Sequence, residues 1–417
     1  MNSREKFLLT FVEREPGVTL KWEFGYWGGA INNWYKQGLP KKNPAQIPKR
    51  MYPVSSLYLP AWTCENKYIA PGEYPEGYVL TAGGIAWPLN GHTMDNDVRD
   101  YFGLDYSQIM LDTNLLFNPL FDIEVYQDDD EVFKYKDIDG VTRIYLKKQG
   151  VVPCAVDYTI KDMKTWLEVK EERMSMDSAS IVRRMPLDFF EKLPEYKNRD
   201  YALGFGGSPF GFFGLPASLL GYENLFISYY EQPEMIHDMA DTFTDIAIAV
   251  LAEILKYIEV DYIQLWEDIS FGKGSMVSED CIREFILPYY KKLTSFCREN
   301  NINMVCVDTD GDCNKIIPLF IEGGATSMFP FEVNSGMDVT KVREAFPDFV
   351  ICGGIDKELI GKGKDTIDEI LKPMDAMIKK GGYIPFGDHF ILPDCPFEDF
   401  SYYRNRLNDI IDANYNY

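Results

Sequence analysis

The chain has 417 residues, of which 46% are hydrophobic and 26% charged, a composition typical of a globular protein with a sizeable core. Its 42 Lys and Arg residues against 65 Asp and Glu residues give a formal net charge of −23, which excludes nucleic acid and anionic membranes as main partners. No apolar run reaches the roughly 20 residues of a membrane helix, and no signal peptide opens the chain, so we expect a cytoplasmic protein whose eight dispersed cysteines are reduced.

The first 75 residues are predicted to form an N-terminal arm that contains one strand. The run from Val18 to Phe24 is rich in strand-forming residues and precedes Gly- and Pro-rich sequence, so we interpret it as the first strand of the sheet. Residues 122–150 alternate between apolar and polar side chains around Asp139-Gly140, which is the turn sequence of a β-hairpin. We interpret this hairpin as an insertion beside the main sheet.

From about residue 200 the chain alternates between predicted strands and helices, the pattern of a parallel sheet covered by helices. Pro233 opens a predicted helix of about 25 residues with one apolar stripe. Further helices are expected near 278–299, 313–322 and 364–380, and strands near 262–266, 303–307, 326–331, 349–352 and 382–386. Acidic, Gly or His residues follow these strands, and in barrel enzymes the catalytic groups converge at the carboxyl ends of the strands.

Asp308 and Asp310 are the strongest candidates for chemistry, because alternation along a strand end directs both carboxylates to the same side. Such a pair can bind a cation or exchange a proton with a substrate. The alternative is a polar turn in which Asp310 or Asp312 caps the following helix.

Two further candidates also follow predicted strands. His389, one of three histidines, lies in a Gly-Asp-His turn and is a candidate acid, base or metal ligand. Glu267 and Asp268 directly follow an apolar strand, so burial of one of them is expected to raise its pKa and suit it to proton transfer. A salt bridge to a neighbouring lysine is the alternative for this pair.

Four motifs resemble the uroporphyrinogen decarboxylase superfamily, which also contains cobamide-dependent methyltransferases. They are Trp266-Glu-Asp, Val307-Asp-Thr-Asp-Gly, Gly353-Gly-Ile-Asp-Lys and the run from Gly381 to His389, and together they span about residues 200–410. The resemblance implies an α/β protein in which residues 1–417 form a single (β/α)8 TIM barrel with an N-terminal extension and the inserted hairpin.

Two departures from the family patterns bear on function. Uroporphyrinogen decarboxylases carry arginines just after the first strand to hold the substrate's carboxylates, whereas the stretch from Trp22 to Ala30 has none. Losing these charge-assisted hydrogen bonds disfavours a polyanionic tetrapyrrole as substrate. The zinc methyltransferases of the superfamily place a His-x-Cys pair where this chain has Asp308 and Asp310, so the resemblance implies a zinc site built from oxygen and nitrogen donors. The implied ligands are Asp308, Asp310, His389 and Glu267.

The leading hypothesis is therefore a corrinoid-dependent methyltransferase that moves a methyl group from a small substrate, such as a phenyl methyl ether, to a separate corrinoid protein. Glu267, Asp308 and His389 would be its catalytic residues, and zinc or a protonated side chain would activate the leaving oxygen. Aromatic residues would pack the substrate's ring; the candidates are Trp22, Tyr26, Trp27, Phe210, Phe212 and Trp266.

Two alternatives stay open. One is a decarboxylase or lyase that acts on a carboxylate substrate through Asp308 or His389 without metal. The other is a ligand-binding barrel without catalytic activity. The resemblance also implies that a homodimer is one expected oligomeric state.

Overall fold

The structure is a computed structural model that describes residues 1–42, 72–74, 79–81, 93–106, 108–147 and 153–415. Much of the predicted N-terminal arm and the last three residues of the predicted hairpin region, 148–150, lie outside the described residues.

Seven parallel strands form one sheet in which each strand neighbours the next along the chain. They are β1 Gln108–Met110, β2 Ala202–Gly206, β3 Tyr262–Trp266, β4 Met304–Asp308, β5 Ser327–Phe329, β6 Val350–Cys352 and β7 Tyr383–Ile384. Side chains from both the first and the last of these strands, Met110 and Ile384, belong to one buried cluster. The sheet is therefore curled into a TIM-barrel-type fold, as the sequence predicted.

The run from Val18 to Phe24, predicted as the first strand, is not a regular β-strand. It nevertheless lies between the two edges of the sheet, because Thr19 Oγ1 donates to the Tyr383 carbonyl at 2.6 Å and the Asp105 amide donates to the Lys21 carbonyl at 2.9 Å. Alternate side chains of this closing segment, such as Leu20, enter the barrel interior. Side-chain hydrogen bonds thus replace part of the regular main-chain ladder here.

The amino-terminal end of the barrel is filled by the first helix and the turn after it. Phe7 from helix Ser3–Leu8 and Phe11 from the π-helical turn Leu9–Glu13 belong to the interior cluster. Phe7 packs against Tyr262 at the start of β3, with 5.3 Å between ring centroids. Aromatic side chains fill this end of the barrel, so the candidate active site is expected at the opposite end, where the strands reach their carboxyl ends.

Helices cover the outside of the sheet. The predicted long helix is confirmed as Pro233–Leu255. Two predicted helices are each divided by a proline, Pro288 and Pro373, because proline cannot donate the main-chain hydrogen bond that continues a helix. The other helices are Gly28–Gln37, Asn96–Phe102, Met163–Arg173, Ser178–Val182, Phe189–Lys197, Gly214–Leu220, Tyr222–Glu231, Glu279–Phe285, Leu287–Glu299, Ile317–Gly323, Val339–Ala345, Lys357–Ile360, Lys364–Leu371, Met374–Lys379 and Phe397–Asn414, with a 3-10 turn at Val333–Ser335.

The predicted hairpin forms the centre of a separate antiparallel sheet with four strands. Its strands are Glu124–Asp128, Val132–Lys136, Val141–Leu146 and Cys154–Tyr158. Arg143 closes the turn by donating to Asp139 Oδ2 at 2.6 Å. Short strands at Tyr26–Trp27, Val79–Thr81 and Thr93–Met94 form a third sheet, and Ser270–Phe271 pairs with Gly274–Ser275. Within the described ranges, no helix is both long enough and apolar enough to cross a membrane.

Candidate active site

Ionisable side chains meet where β3 to β7 end. We call this group the carboxylate cluster, and it comprises Asp268, Asp308, Asp310, Glu332, Lys357, Asp388 and His389. Each of the five consecutive strands is followed by at least one of these residues, either at its carboxyl end, as Asp308, or in the segment that leaves it, as Lys357 after β6. The cluster therefore occupies the position at which TIM-barrel enzymes carry their active sites.

Burial raises the pKa values of three carboxyl groups of the cluster, Asp308, Asp268 and Asp388, and only Asp388 is paired with a lysine. Burial raises the pKa of Asp308 well above its ordinary range, and the negative charges of Asp268 and Asp310 add to the effect. Burial raises the pKa of Asp268 to about 7, helped by Asp310 and opposed by His389. Two neighbouring carboxyl groups therefore hold protons close to neutral pH, as a proton donor requires.

Asp310 and His389 are in direct contact. His389 Nε2 lies 3.4 Å from Asp310 Oδ2. The His389 ring stacks on Phe24 of the closing segment, with centroids 4.5 Å apart and planes 26° apart, and its other neighbour is Phe390. The imidazole is thus oriented by aromatic contacts on two sides and by a carboxylate.

The lysine of the cluster is already paired. Lys357 Nζ lies 3.2 Å from Glu332 Oε1 and 3.6 Å from Asp388 Oδ1. Burial alone would lower the pKa of Lys357, but the charges of Asp388 and Glu332 outweigh it and raise the pKa. Asp388 also accepts from the Val333 amide at 2.7 Å. This network joins the ends of β5, β6 and β7 and fixes the turn that carries His389.

Glu267 lies apart from the carboxylate cluster, although it was predicted with Asp308 and His389. Its carboxylate accepts from the amides of Phe212 at 3.0 Å and Phe213 at 2.6 Å, and from the Tyr290 hydroxyl at 2.7 Å. Burial raises its pKa, and these hydrogen bonds oppose that shift. The side chain therefore holds the loop before helix Gly214–Leu220 rather than facing the barrel mouth.

The six predicted aromatic residues are distributed over three places. Trp22 is fully buried at the amino-terminal end, where it packs on Phe7 and Phe11. Tyr26, Phe210 and Phe212 belong to the outer layer between the sheet and the helices. Trp27 contacts Phe390 beside His389, and Trp266 is the register partner of Asp308. Only the last two of the six therefore adjoin the cluster.

The proposed zinc ligands do not fit a metal ion as they stand. Among the described residues, no three His, Cys, Asp or Glu side chains are grouped so that they could hold one. The oxygens of Glu267 are engaged by amides and a hydroxyl, which removes it from the proposed ligand set.

The sequence analysis named Asp268 beside Glu267 as a candidate for proton transfer but counted only Glu267 among the catalytic residues. The structure instead places Asp268 in the carboxylate cluster. Side chains alternate along β3, so Tyr262, Gln264 and Trp266 share the inward direction, whereas Asp268 follows the strand with a left-handed backbone at φ 44°. The alternation ends with the strand at Trp266, so it does not by itself assign Asp268 to the site. Lys357 ends the Gly353-Gly-Ile-Asp-Lys motif, whereas Glu332 and Phe24 had no signal in the sequence, because their contacts join distant segments.

Comparison with known proteins identifies the family. The family model described as uroporphyrinogen decarboxylase (URO-D) matches residues 162–408, more than half of the chain, and the chain belongs to this family. Uroporphyrinogen decarboxylases of Chlorobium limicola and Pelodictyon phaeoclathratiforme are 26% and 27% identical to it, over 48% and 49% of this chain and 57% and 58% of theirs. The chain thus matches only a little over half the length of these relatives.

The motifs therefore predicted membership in this family correctly. A solved methyltransferase from Methanosarcina mazei superposes with a TM-score of 0.44 and 14% identity, over 63% of this chain and 72% of that one. A likeness at this level does not bear on the reaction.

Proposed function

We propose that the protein transfers a methyl group from a small methylated substrate, such as a phenyl methyl ether, to a corrinoid carried by a separate protein. The observation that carries the proposal is the pair Asp268 and Asp308, two buried carboxyl groups whose pKa values are raised, one of them to about 7. Such groups can be protonated at neutral pH and deliver the proton that an ether oxygen needs to leave.

The bond between the methyl carbon and the ether oxygen breaks and its electron pair stays on the oxygen, while the reduced corrinoid acceptor supplies the electron pair of its new bond to the methyl carbon. Asp268 or Asp308 gives its proton to that oxygen, so the product leaves as a neutral phenol. The contact between Asp310 and His389 supplies a route by which the cluster is reprotonated from solvent, since both side chains are partly exposed.

The charge of the cluster also favours an uncharged substrate. Within the described residues it holds five carboxyl groups and one lysine, and Lys357 is already held between Glu332 and Asp388. A polyanionic substrate would meet further carboxylates without a free cation in this group.

A decarboxylase is the second candidate, favoured by the matching relatives, which are uroporphyrinogen decarboxylases. In that reaction the same acids would protonate the carbanion that remains after carbon dioxide leaves. The substrate's carboxylate would then need cationic partners from outside the cluster.

The test supplies purified protein with 4-methoxyphenol and chemically reduced cobalamin, and follows release of hydroquinone by chromatography and methylation of cobalamin by absorbance. We expect turnover that falls by about 100-fold or more in Asp268→Asn and Asp308→Asn, the usual scale for a lost general acid. Carbon dioxide release from uroporphyrinogen, with no methyl transfer from a panel of methyl ethers, would overturn the proposal in favour of the decarboxylase.

A further inference from the structure

His389 carries an imidazole ring that no side-chain hydrogen bond within the described ranges holds in place. Its Nε2 lies 3.4 Å from Asp310 Oδ2, and the side chain is 20% exposed. The torsion that turns an imidazole about its bond to Cβ has broad minima, so this single ion-pair contact leaves the ring free to turn. Another contact is needed to keep Nε2 directed at Asp310.

Phe24 supplies a flat contact of this kind. The centroids of the Phe24 and His389 rings are 4.5 Å apart and their planes differ by 26°, an arrangement that aromatic pairs favour. Turning the imidazole about its bond to Cβ would drive its edge into the face of the Phe24 ring. Phe390 meets the imidazole edge-on, with 4.7 Å between centroids and 86° between planes. The stack therefore fixes the plane of the imidazole.

The backbone holds Phe24 opposite the histidine by hydrogen bonds on both sides. Before Phe24, Glu23 Oε2 accepts from the Gly387 amide at 3.1 Å. After it, the Gly25 carbonyl accepts from the Ile391 amide at 3.0 Å. Gly387 and Ile391 lie two residues before and two residues after the histidine. The position of the stack is thus set by contacts that do not involve either ring.

The Phe24 ring is itself tightly packed. It is 4% exposed, and it contacts Phe329 and Phe390 with ring centroids 6.0 Å and 4.8 Å away. Phe329 is the register partner of Asp308 on the neighbouring strand. Phe24 therefore joins the turn that carries His389 to the strand beside Asp308.

We propose that Phe24 is a positioning residue whose ring holds the His389 imidazole in the orientation that directs Nε2 to Asp310. The inference rests on the proposed function, in which the contact between Asp310 and His389 returns protons to the buried acids. The hydrocarbon ring of Phe24 has no proton to exchange, so it acts only through the histidine. Its loss should lower kcat rather than substrate affinity.

The first measurement is proton NMR of the histidine rings at one fixed pH. The chain has only three histidines, and His389→Gln assigns the signal of interest. We expect the His389 ring protons of the wild type to be shifted upfield by the Phe24 ring, and Phe24→Leu to remove this shift. His237 is an internal reference, because it stacks on Phe285 with centroids 4.7 Å apart and planes 27° apart.

The second measurement is methyl transfer by Phe24→Leu with 4-methoxyphenol and reduced cobalamin. We expect kcat to fall by about tenfold or more with KM within about twofold of the wild type. Phe285→Leu is the matched control, because Phe285 is also 4% exposed and its loss removes the equivalent stack from His237. This variant should keep the kcat of the wild type, and urea unfolding shows whether both variants are folded.

His389 ring protons without an upfield shift in the wild type overturn the inference, and this result does not depend on any variant folding. Unchanged kcat in folded Phe24→Leu, a raised KM alone, or equal losses of kcat in both variants overturn it as well. An upfield shift that Phe24→Leu removes, in a protein without methyl transfer, supports the positioning by Phe24 while refuting the proposed function. Methyl transfer that Phe24→Leu leaves unchanged does the reverse.

Discussion

Arg404 donates its Nη1 to Glu23 Oε1 at 2.8 Å, and neither side chain has any exposed surface. The second oxygen of Glu23 accepts from the Gly387 amide at 3.1 Å, and Arg404 also donates to the Trp22 carbonyl at 2.9 Å. This ion pair joins the C-terminal helix to the closing segment and to the turn that carries His389. The last helix thereby helps to close the barrel beside the candidate active site.

Glu23→Ala should strongly destabilise the protein, because it leaves the Arg404 charge buried without its partner. We expect a loss of about 3 to 5 kcal/mol in the free energy of unfolding, measured with urea. Glu398→Ala, which removes the exposed partner of Lys364, is the matched control and should have little measurable effect. Similar small losses in the two variants would contradict the structural role of the buried pair.

Asp268 should make stability depend on pH. Its folded pKa of about 7 lies above the ordinary value, so the stability linked to this group is fully present below the unfolded pKa and is lost as pH rises through 7. Asp268→Asn should therefore gain about 1 to 3 kcal/mol over the wild type at pH 8 and little at pH 5, in urea unfolding. Asp394→Asn, at an exposed position, should show no such gain. A gain of equal size at both pH values would argue against titration of Asp268.

Glu267→Gln should affect folding more than chemistry. The carboxylate accepts from the Phe212 and Phe213 amides and from Tyr290, and a carboxamide cannot accept at both of its ends. We expect a loss of about 2 to 3 kcal/mol in the free energy of unfolding, and a smaller one in Tyr290→Phe. Turnover abolished in Glu267→Gln with stability intact would instead place this residue in the reaction.

Zinc should not be retained in stoichiometric amount by the purified protein, because Glu267 is engaged elsewhere and no metal-binding group is formed among the described residues. Elemental analysis after anaerobic purification and zinc loading tests this expectation. Bound zinc close to one equivalent, lost in both Asp308→Ala and His389→Ala, would show that these residues bind metal after all and would restore the zinc site inferred from the sequence.

The sequence by itself determined the order of strands and helices in the second half of the chain and the family. Apolar strands such as Tyr262–Trp266, followed directly by acidic residues, are local patterns that the fold cannot easily override. The parallel arrangement follows from the helix after each strand, and it brings Asp308, Asp310 and His389 to one end of the barrel. Those three residues were predictable for this reason.

Only the tertiary structure decided which of the two carboxylates after β3, Glu267 or Asp268, lies in the candidate active site. Asp268 and Glu267 are adjacent in sequence, and their different surroundings depend on the loop carrying Phe212 and Phe213, which packs against β3 from outside and takes the Glu267 carboxylate. The raised pKa of Asp268 likewise needs Asp310, from another strand, at close range. Burial and charge proximity are properties of the assembled barrel, because they sum over segments far apart in the chain.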